Sequence, residues 1–331
     1  MSALEQAARV RRGAGLFRLA DRALLGVGGV DRVRWLDGML TNDVKALGPG
    51  RSGCHAAALT RTGRVVCEVQ VLWRPEELWL ELDAAALASA AAHLEKFIVA
   101  DDVALRDRSA LRERLALEGP LAPTVLEAAL GRPLALAPYG CEDVDLGGFN
   151  LTLAAFGRSG EPAFQILAPP GSGDALAAAL LDAGAGRGLV EASDEALEIL
   201  RIEAGVPRHG RELDESVLPD EARLSDAVST SKGCYTGQEV VARLRSQGQV
   251  SHLLVGLSSD GESPLPVGAT IEVGGRPAGE VTSSCVSPSA GSIALGFLKR
   301  AHAGEKSRVR IGTREARVAR LPFAGPGAAG R

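Results

Sequence analysis

The sequence predicts an α+β fold that ends in a small antiparallel barrel or sandwich, and three patterns support this. Residues 65–73 and 78–82 are apolar, strand-like segments on either side of Pro75, which is typical of a hairpin. Residues 84–100 are rich in alanine and carry their larger apolar side chains on one side, as a packed helix does. Beyond residue 248, short strand-like segments alternate with turns of glycine, proline and serine.

The middle of the chain repeats the combination of strand pairs and helices. Residues 151–153 and 164–167 read as strands, and Asp174 is a candidate cap for a helix over 175–182. This arrangement predicts a ferredoxin-like unit. Ser193 caps a predicted helix over 194–204, and Pro219 suits the first position of another helix.

The last third of the chain has a different character. Residues 324–331 are small residues and a terminal arginine, which predict a disordered tail. The predicted strands before this tail are 253–257, 270–273, 279–283, 292–298, 308–311 and 314–318. A chain of 331 residues exceeds one typical core, so we expect two or three compact units.

Composition excludes several classes of function. The net charge of −4 gives no global reason to expect nucleic-acid binding. The five cysteines are scattered and form no CxxC pair, which disfavours a self-contained metal site and fits a reducing compartment. No apolar run has membrane-spanning length, and no signal-peptide core opens the chain. We therefore expect a cytoplasmic protein without direct nucleic-acid or membrane partners.

Residues 232–239 (Lys-Gly-Cys-Tyr-Thr-Gly-Gln-Glu) are the most informative segment. Cys234 lies between Gly233 and, three residues on, Gly237, shortly after Lys232 and just before a predicted helix start, and such surroundings favour an accessible, partly ionised thiol. The alternative is that Cys234 is a small buried apolar residue, as free cysteines often are.

This segment resembles the signature of the YgfZ-type folate-binding proteins, relatives of the glycine cleavage T-protein, an aminomethyltransferase. Residues 35–44, 100–103, 200–207, 218–222, 281–284 and 293–296 resemble further motifs of that superfamily in the same order. The resemblance implies a three-domain ring of the T-protein type, with two interleaved α+β units and a C-terminal antiparallel β-barrel. It implies a folate-binding region over 1–246, in which 111–189 is the inserted ferredoxin-like unit between about 1–110 and 190–246. The barrel would cover 247–323.

The resemblance also implies site residues around a central channel that binds tetrahydrofolate. Arg201 matches the arginine of the shared folate motif, where its guanidinium would hold a carboxylate or a pterin edge; the alternative is a structural arginine. Asn42 matches a channel-lining loop, although Asn42 with Asp43 also suits a plain turn. Further candidates from the signature are Tyr235, which packing would also explain, and Gln238.

Two departures from the transferase pattern bear on activity. The transferase has two successive aspartates where this chain has Cys67 and Glu68, and strand neighbours face opposite sides, so only one can face the channel. Glu68 is thus the candidate catalytic acid, one methylene longer than aspartate. In the second stretch Glu161 remains, but the later glutamate is replaced by Gln165, which can bind a pterin but cannot act as a carboxylate.

These departures favour, as the first functional prediction, a tetrahydrofolate-binding accessory protein. The YgfZ resemblance implies that it supports iron–sulfur cluster assembly or repair in client enzymes, including tRNA-modifying radical enzymes, through Cys234 with Lys232 beside it. The alternative is a tetrahydrofolate-dependent aminomethyltransferase or another one-carbon transferase or demethylase. A purely regulatory or structural folate-binding protein is a third possibility.

Overall fold

The computed structural model describes residues 1–49 and 52–325, so most of the predicted tail over 324–331 lies outside the described residues. Two β-sheets with flanking helices precede a closed barrel, in which every recorded strand pairing is antiparallel. The predicted α+β fold class is therefore confirmed. Of the two alternatives predicted for the C-terminal part, the structure shows the barrel and not the sandwich.

The α-helices follow the chain in the order α1 Ala3–Val10, α2 Arg32–Met39, α3 Leu87–Glu95, α4 Ala122–Leu130, α5 Gly173–Ala183, α6 Asp194–Ala204 and α7 Gln238–Gln247. Short 3-10 turns lie at Ala84–Ala86, Ser109–Leu111 and Arg300–His302. Within the described ranges, no helix is long and apolar enough to span a bilayer.

The strands of the first sheet are β2 Arg22–Gly28, β3 Gly53–Leu59, β4 Val65–Leu72, β5 Leu78–Asp83 and β6 Ala104–Asp107. Those of the second are β1 Ala14–Arg18, β7 Glu113–Glu118, β8 Cys141–Leu146, β9 Phe149–Ala154, β10 Ala163–Ala168 and β11 Leu189–Glu191. The barrel contains β12 His252–Ser259, β13 Thr270–Val273, β14 Arg276–Ser287, β15 Gly291–Lys299, β16 Arg308–Ile311 and β17 Arg314–Ala319.

The first sheet has the order β3-β4-β5-β2-β6 and is antiparallel throughout. One face packs on α2 and α3, and the core between them contains Trp35, Leu36 and Leu94. Burial of these apolar side chains is the main force that holds the helices on the sheet. The opposite face carries polar side chains and looks toward the second sheet.

The second sheet has the order β11-β1-β7-β10-β9-β8. Strand β1 runs parallel to β11 and antiparallel to β7, so an N-terminal strand belongs to the sheet built mainly from residues 113–168. A strand from the predicted unit of about 1–110 with 190–246 thus lies in the sheet of the predicted inserted unit. The reason is that sheet membership follows pairing between distant segments, which local patterns do not encode. The remaining domain boundaries stay a proposal.

Three local predictions differ from the structure. In place of the helix predicted over 84–100, a 3-10 turn precedes α3, which ends at Glu95. The residues that follow include β-branched Ile98 and Val99, which disfavour a helix. Helix α5 begins at Gly173. The backbone N–H groups of Gly171 and Gly173 at its start donate to the Glu113 carboxylate, so Asp174 is not the cap.

The chain after Pro219 forms a turn and not a helix. Arg223, with φ of 62°, adopts the left-handed region, and this conformation breaks helical continuation after one turn.

Candidate functional site

A narrow polar cleft lies between the two sheets. Strands β2, β4 and β5 supply one side, and the second unit together with the segment after α6 supplies the other. Its lining consists of Arg22, Glu68, Gln70, Asp83, Phe156, Gly157, Arg158, Gln165 and residues 206–209. Charged and amide side chains dominate this list, which is unusual for an internal boundary between sheets and indicates a binding site.

Strand alternation places Glu68 and Gln70 in the cleft. Their neighbours Cys67 and Val69 face the apolar core on the other side of β4 and are buried there. Glu68 is therefore the member of the Cys67–Glu68 pair that lines the cleft. Burial raises the pKa of the Cys67 thiol to about 12, so this cysteine stays protonated at neutral pH and is a packing residue.

Glu68 is held as a carboxylate. Its Oε1 atom lies 2.6 Å from Nε2 of His55, as an ion pair without the alignment of a hydrogen bond. Burial alone would raise the pKa of Glu68, but the charges of His55 and Arg22 outweigh it and lower that pKa. Glu68 is therefore ionised at neutral pH before substrate binds, and its catalytic role stays a prediction.

His55 connects Glu68 to a second carboxylate. Its Nδ1 atom lies 3.1 Å from Oδ2 of Asp226, which also accepts a hydrogen bond of 2.6 Å from the Tyr139 hydroxyl. The rings of His55 and Tyr139 stack with their centroids 5.3 Å apart. Burial favours neutral histidine, but Glu68 and Asp226 together raise the pKa of His55 to about 9. His55 is therefore an imidazolium between two carboxylates at neutral pH.

Asp226 and Tyr139 belong to a second, wider pocket, a groove of about 740 Å³ that His55 also lines. Asn42 lines the same groove and not the cleft, and its role in folate binding stays a prediction. Its side-chain amide donates to the backbone carbonyls of His55, at 2.7 Å, and Asp226, at 3.1 Å. These bonds show that Asn42 ties β3 to the loop that carries Asp226.

Three buried side-chain atoms around the cleft have no hydrogen-bond partner among the residues that the structure describes. They are Oε1 of Gln70, Oε1 of Gln165 and Nδ1 of His209, and all three residues line the cleft. A buried polar atom without a partner is costly, and such atoms at a pocket wall indicate a ligand that completes them. Gln165, Gln70 and His209 thus line the cleft together; the folate contact of Gln165 stays a prediction, and Gln70 and His209 were not predicted.

Arg201 is not available to a ligand. It is fully buried, and its five N–H donors are all directed at protein acceptors. Those acceptors are both oxygens of Glu198, the carbonyl of Val206, a carboxylate oxygen of Glu212 and the hydroxyl of Ser283. The ligand role predicted for Arg201 is therefore corrected to a structural one, which fixes the segment that begins at Val206 along the cleft.

Lys232 and Tyr235 are also structural. The ammonium of Lys232 donates to the carbonyls of Asp37, Leu40 and Asn42 and pairs with the Asp37 carboxylate, so its three protons are used inside the protein. Burial lowers the pKa of Lys232, but this cation serves the 37–42 turn rather than the thiol. Tyr235 is buried in an apolar cluster with Leu213 and Val241, as the packing alternative predicted.

Glu161 and Gln238 do not line the cleft. The Glu161 carboxylate pairs at 2.8 Å with Arg11, which also holds Glu203 and so ties α1 to α6. Gln238 begins α7, with its backbone N–H bonded to the carbonyl of Tyr235. The arrangement gives neither residue a place in a common site with Glu68 and Gln165.

Cys234 is exposed, whereas the other four cysteines are buried. It lines neither the cleft nor the groove. The loop that carries it is anchored by Gly237, whose φ is 81° and at which a Cβ would lie 2.5 Å from the carbonyl oxygen of Thr60. The accessible thiol expected from the sequence is present, and a role for it stays a prediction.

His55, Asp226 and Tyr139 were missed by the sequence reasoning, which found no constellation among the histidines. One signal was present, because Glu68 and Gln70 alternate with apolar residues and so mark a polar face on an otherwise buried strand. A search for polar residues on the adjoining strand β3 would have found His55. Nothing local points to Asp226, which is 171 residues away from His55 in the sequence.

The chain is similar to named aminomethyltransferases over nearly its whole length. It is 33% identical to that of Rubrobacter xylanophilus over 318 residues, which cover 95% of this chain and 84% of the relative. It is 32% identical to that of Symbiobacterium thermophilum over 345 residues, covering 97% and 89%. The crystal structure of the glycine cleavage system aminomethyltransferase T from Bartonella henselae superposes with a TM-score of 0.84 at 26% identity, covering 98% and 90%.

These similarities contradict the prediction of a YgfZ-type accessory protein for iron–sulfur cluster assembly, with its client enzymes and its link to tRNA modification. The relatives and the matched structure are named aminomethyltransferase, which was the alternative. The octapeptide around Cys234 covers too little of the chain to outweigh similarity along its length.

The two parts of the chain also match domain families separately. Residues 2–232 match the GCVT N-terminal domain, and residues 253–324 match the glycine cleavage T-protein C-terminal barrel domain. The second match coincides with the closed barrel of β12–β17. The chain therefore belongs to the glycine cleavage T-protein (GCVT) family.

Proposed function

We propose that this protein is a tetrahydrofolate-dependent aminomethyltransferase, which transfers a one-carbon unit from an aminomethyl group to tetrahydrofolate in the cleft between the sheets. The observation that carries the proposal is Glu68, an ionised carboxylate at the wall of that cleft. The similarity to named aminomethyltransferases supports the same reaction class. A cytoplasmic location remains a prediction.

The cleft offers acceptors that suit a pterin. Oε1 of Gln165, Oε1 of Gln70 and Nδ1 of His209 are buried without partners, and the N–H groups at the edge of a pterin ring are donors. Bound tetrahydrofolate supplies nitrogen atoms that accept the one-carbon unit. Because the cleft is narrow, we expect the partly exposed side chains of Arg158 and Arg208 at its wall to move when the ring enters.

Glu68 holds or accepts a proton at its carboxylate during the transfer. The group is preorganised, because its charge is already balanced by His55 and Arg22 before substrate binds. Gln165 orients the ring but carries no charge. Asp83, the other carboxylate of the cleft lining, pairs with Arg208, so Glu68 is the carboxylate that we assign to the transfer.

The test is folate binding together with turnover. We expect tetrahydrofolate to bind with a Kd on the order of micromolar, measured by calorimetry. With an aminomethylated thiol donor and tetrahydrofolate, the protein should release ammonia. Glu68→Gln should lower kcat by roughly 10²–10⁴-fold, the usual contribution of acid–base catalysis, with Kd changed little. Glu280→Gln, at an exposed barrel position, is the matched control.

Three outcomes are decisive. Binding and Glu68-dependent turnover support the proposal. Binding without turnover leaves the regulatory or structural folate-binding protein as the better reading. Absence of both binding and turnover in the folded protein overturns the proposal.

A further inference from the structure

His55 joins the two pockets of the molecule. It lines the groove, whereas its partner Glu68 lines the cleft, and its other partner Asp226 lies at the groove surface. The side chains of Glu68, His55 and Asp226 are 23%, 7% and 55% exposed, so the histidine is the buried link between a carboxylate in the cleft and a carboxylate in the groove.

We propose that His55 is the positioning residue of Glu68, and that Asp226 and Tyr139 hold its ring from the groove side. The imidazolium aims the Glu68 carboxylate into the cleft and keeps it deprotonated for its work as a base. The expected effect of His55 on kcat rests on the proposed function. Its expected effect on the pKa of Glu68 does not depend on that function.

The strand register brings the side chains of His55 and Glu68 within reach of each other. Ala57 is the direct partner of Glu68 across β3 and β4, and His55 is the direct partner of Gln70. His55 and Glu68 are therefore diagonal neighbours on one face, a spacing that long side chains bridge. A shift of β3 by one residue against β4 would put the two side chains on opposite faces of the sheet and break the contact.

The groove side fixes the ring independently. Tyr139 stacks on His55 and donates its hydroxyl proton to Asp226, and Asn42 bonds the backbone carbonyls of His55 and Asp226. Tyr139 has φ of 63°, a left-handed conformation that is costly for a residue other than glycine. Backbone strain of this kind persists only where the surroundings fix it, and here it places the tyrosine against the histidine.

The charged groups around His55 and Glu68 explain how the imidazolium lowers the pKa of Glu68. Glu68 on β4 and Asp226 in its loop face the ring directly, and Tyr139 touches both the ring and Asp226. The charge of Arg22 on β2 also acts on Glu68, and Arg22 is itself bonded to Glu81. Removal of the imidazolium would leave the partly exposed Glu68 carboxylate with only a shared arginine as counter-charge, so its proton affinity would rise.

The experiment compares the wild type with His55→Gln, which retains hydrogen-bonding capacity and loses the charge. With ¹³C-labelled glutamate carboxyls, and Glu68 assigned from the Glu68→Gln spectrum, we expect the pKa of Glu68 to rise by about one unit or more. The acid limb of the pH profile of kcat should move by the same amount, so that at one pH unit below the new pKa kcat is about tenfold below its plateau and about fivefold below the wild type. KM for tetrahydrofolate should change little, since His55 is outside the cleft lining.

His252→Gln is the matched control, because this histidine lies in the barrel. An unchanged Glu68 titration in His55→Gln overturns the inference, even if the kinetics change. If the wild type shows no turnover, the proposed function fails while the carboxyl titration still decides the role of His55.

If His55→Gln does not fold, substitutions at the groove side replace it. Asp226→Asn and Tyr139→Phe alter residues at a solvent-facing pocket, and histidine NMR follows His55 among the five histidines. We expect Asp226→Asn to lower the pKa of His55 from about 9 by one unit or more. A His55 titration that is unchanged in both variants would overturn the inference.

Discussion

Nη2 of Arg201 on α6 lies 2.8 Å from the hydroxyl of Ser283 on β14, and this hydrogen bond joins helix α6 to the barrel. The same guanidinium pairs at 3.1 Å with Glu212, which also accepts hydrogen bonds from Ser283 and Thr282. Arg201 and Glu212 are both fully buried. The pair is thus the polar centre of the boundary between α6 and the barrel.

Replacement of Arg201 by methionine should destabilise the protein strongly. Glu212 would be left as a buried charge without its counter-ion, which costs about 3–5 kcal/mol in other proteins. The free energy of unfolding from urea denaturation measures this loss. Arg310→Met is the control, since Arg310 pairs with Glu272 at an exposed site where about 0–1 kcal/mol is expected. Normal stability with lost folate binding in Arg201→Met would restore the ligand role that the sequence predicted.

The stability of the wild type should fall as the pH rises from 6.5 toward and above 9. Folding raises the pKa of His55 from 6.5 to about 9, so the stabilisation is fully present below 6.5 and is lost through the folded-state pKa. Thermal unfolding curves of the wild type and His55→Gln should therefore differ most near pH 6 and converge near pH 10. A difference that is constant across this range would show that His55 is neutral in the folded protein.

The same ionic cluster should weaken in acid. Folding lowers the pKa of Asp226, because its bonds to His55 and Tyr139 outweigh burial, which would raise it. The stabilisation is present above the usual aspartate range and is lost as the pH falls through the lower folded-state pKa. Asp226→Asn should remove this acid dependence, as measured by unfolding between pH 5 and 2. Retention of the full dependence in Asp226→Asn would assign it to other carboxylates.

Gln165→Leu should weaken tetrahydrofolate binding about 10–100-fold, because the ligand would lose the acceptor at Oε1 in a buried site. Stability without folate should be unchanged or higher, since the substitution removes a buried polar atom that lacks a partner. Calorimetry measures the first effect and denaturation the second. Equal affinity in Gln165→Leu and the wild type would place the pterin elsewhere.

Cys234 should be the thiol of the native protein that reacts rapidly with a chromogenic disulfide reagent. The other four cysteines are buried, so they should react only after unfolding. Cys234→Ser should abolish the rapid phase while folate binding and turnover stay unchanged, because Cys234 does not line the cleft. A loss of turnover in Cys234→Ser with normal folding would contradict this and give the thiol a role in the reaction.

The sequence by itself determined the elements and the faces of the strands. The turn-separated segments beyond residue 248 predicted the barrel, and alternation along β4 required Cys67 and Glu68 to face opposite sides. The accessibility of Cys234 was likewise expected from glycine-rich surroundings. These properties are local, because side-chain period and turn residues are set by the backbone conformation of a few neighbouring residues.

The tertiary structure decided which side chains meet. Asp226 lies beside His55, although 171 residues separate them in the sequence. The N–H donors of Arg201 all bond to acceptors inside the protein, and the ammonium of Lys232 donates to carbonyls of the 37–42 turn. The tertiary structure also inserted β1 into the sheet of the second unit. Contacts between distant segments depend on how sheets and helices pack and on which buried charges must be neutralised, and no local pattern carries that information.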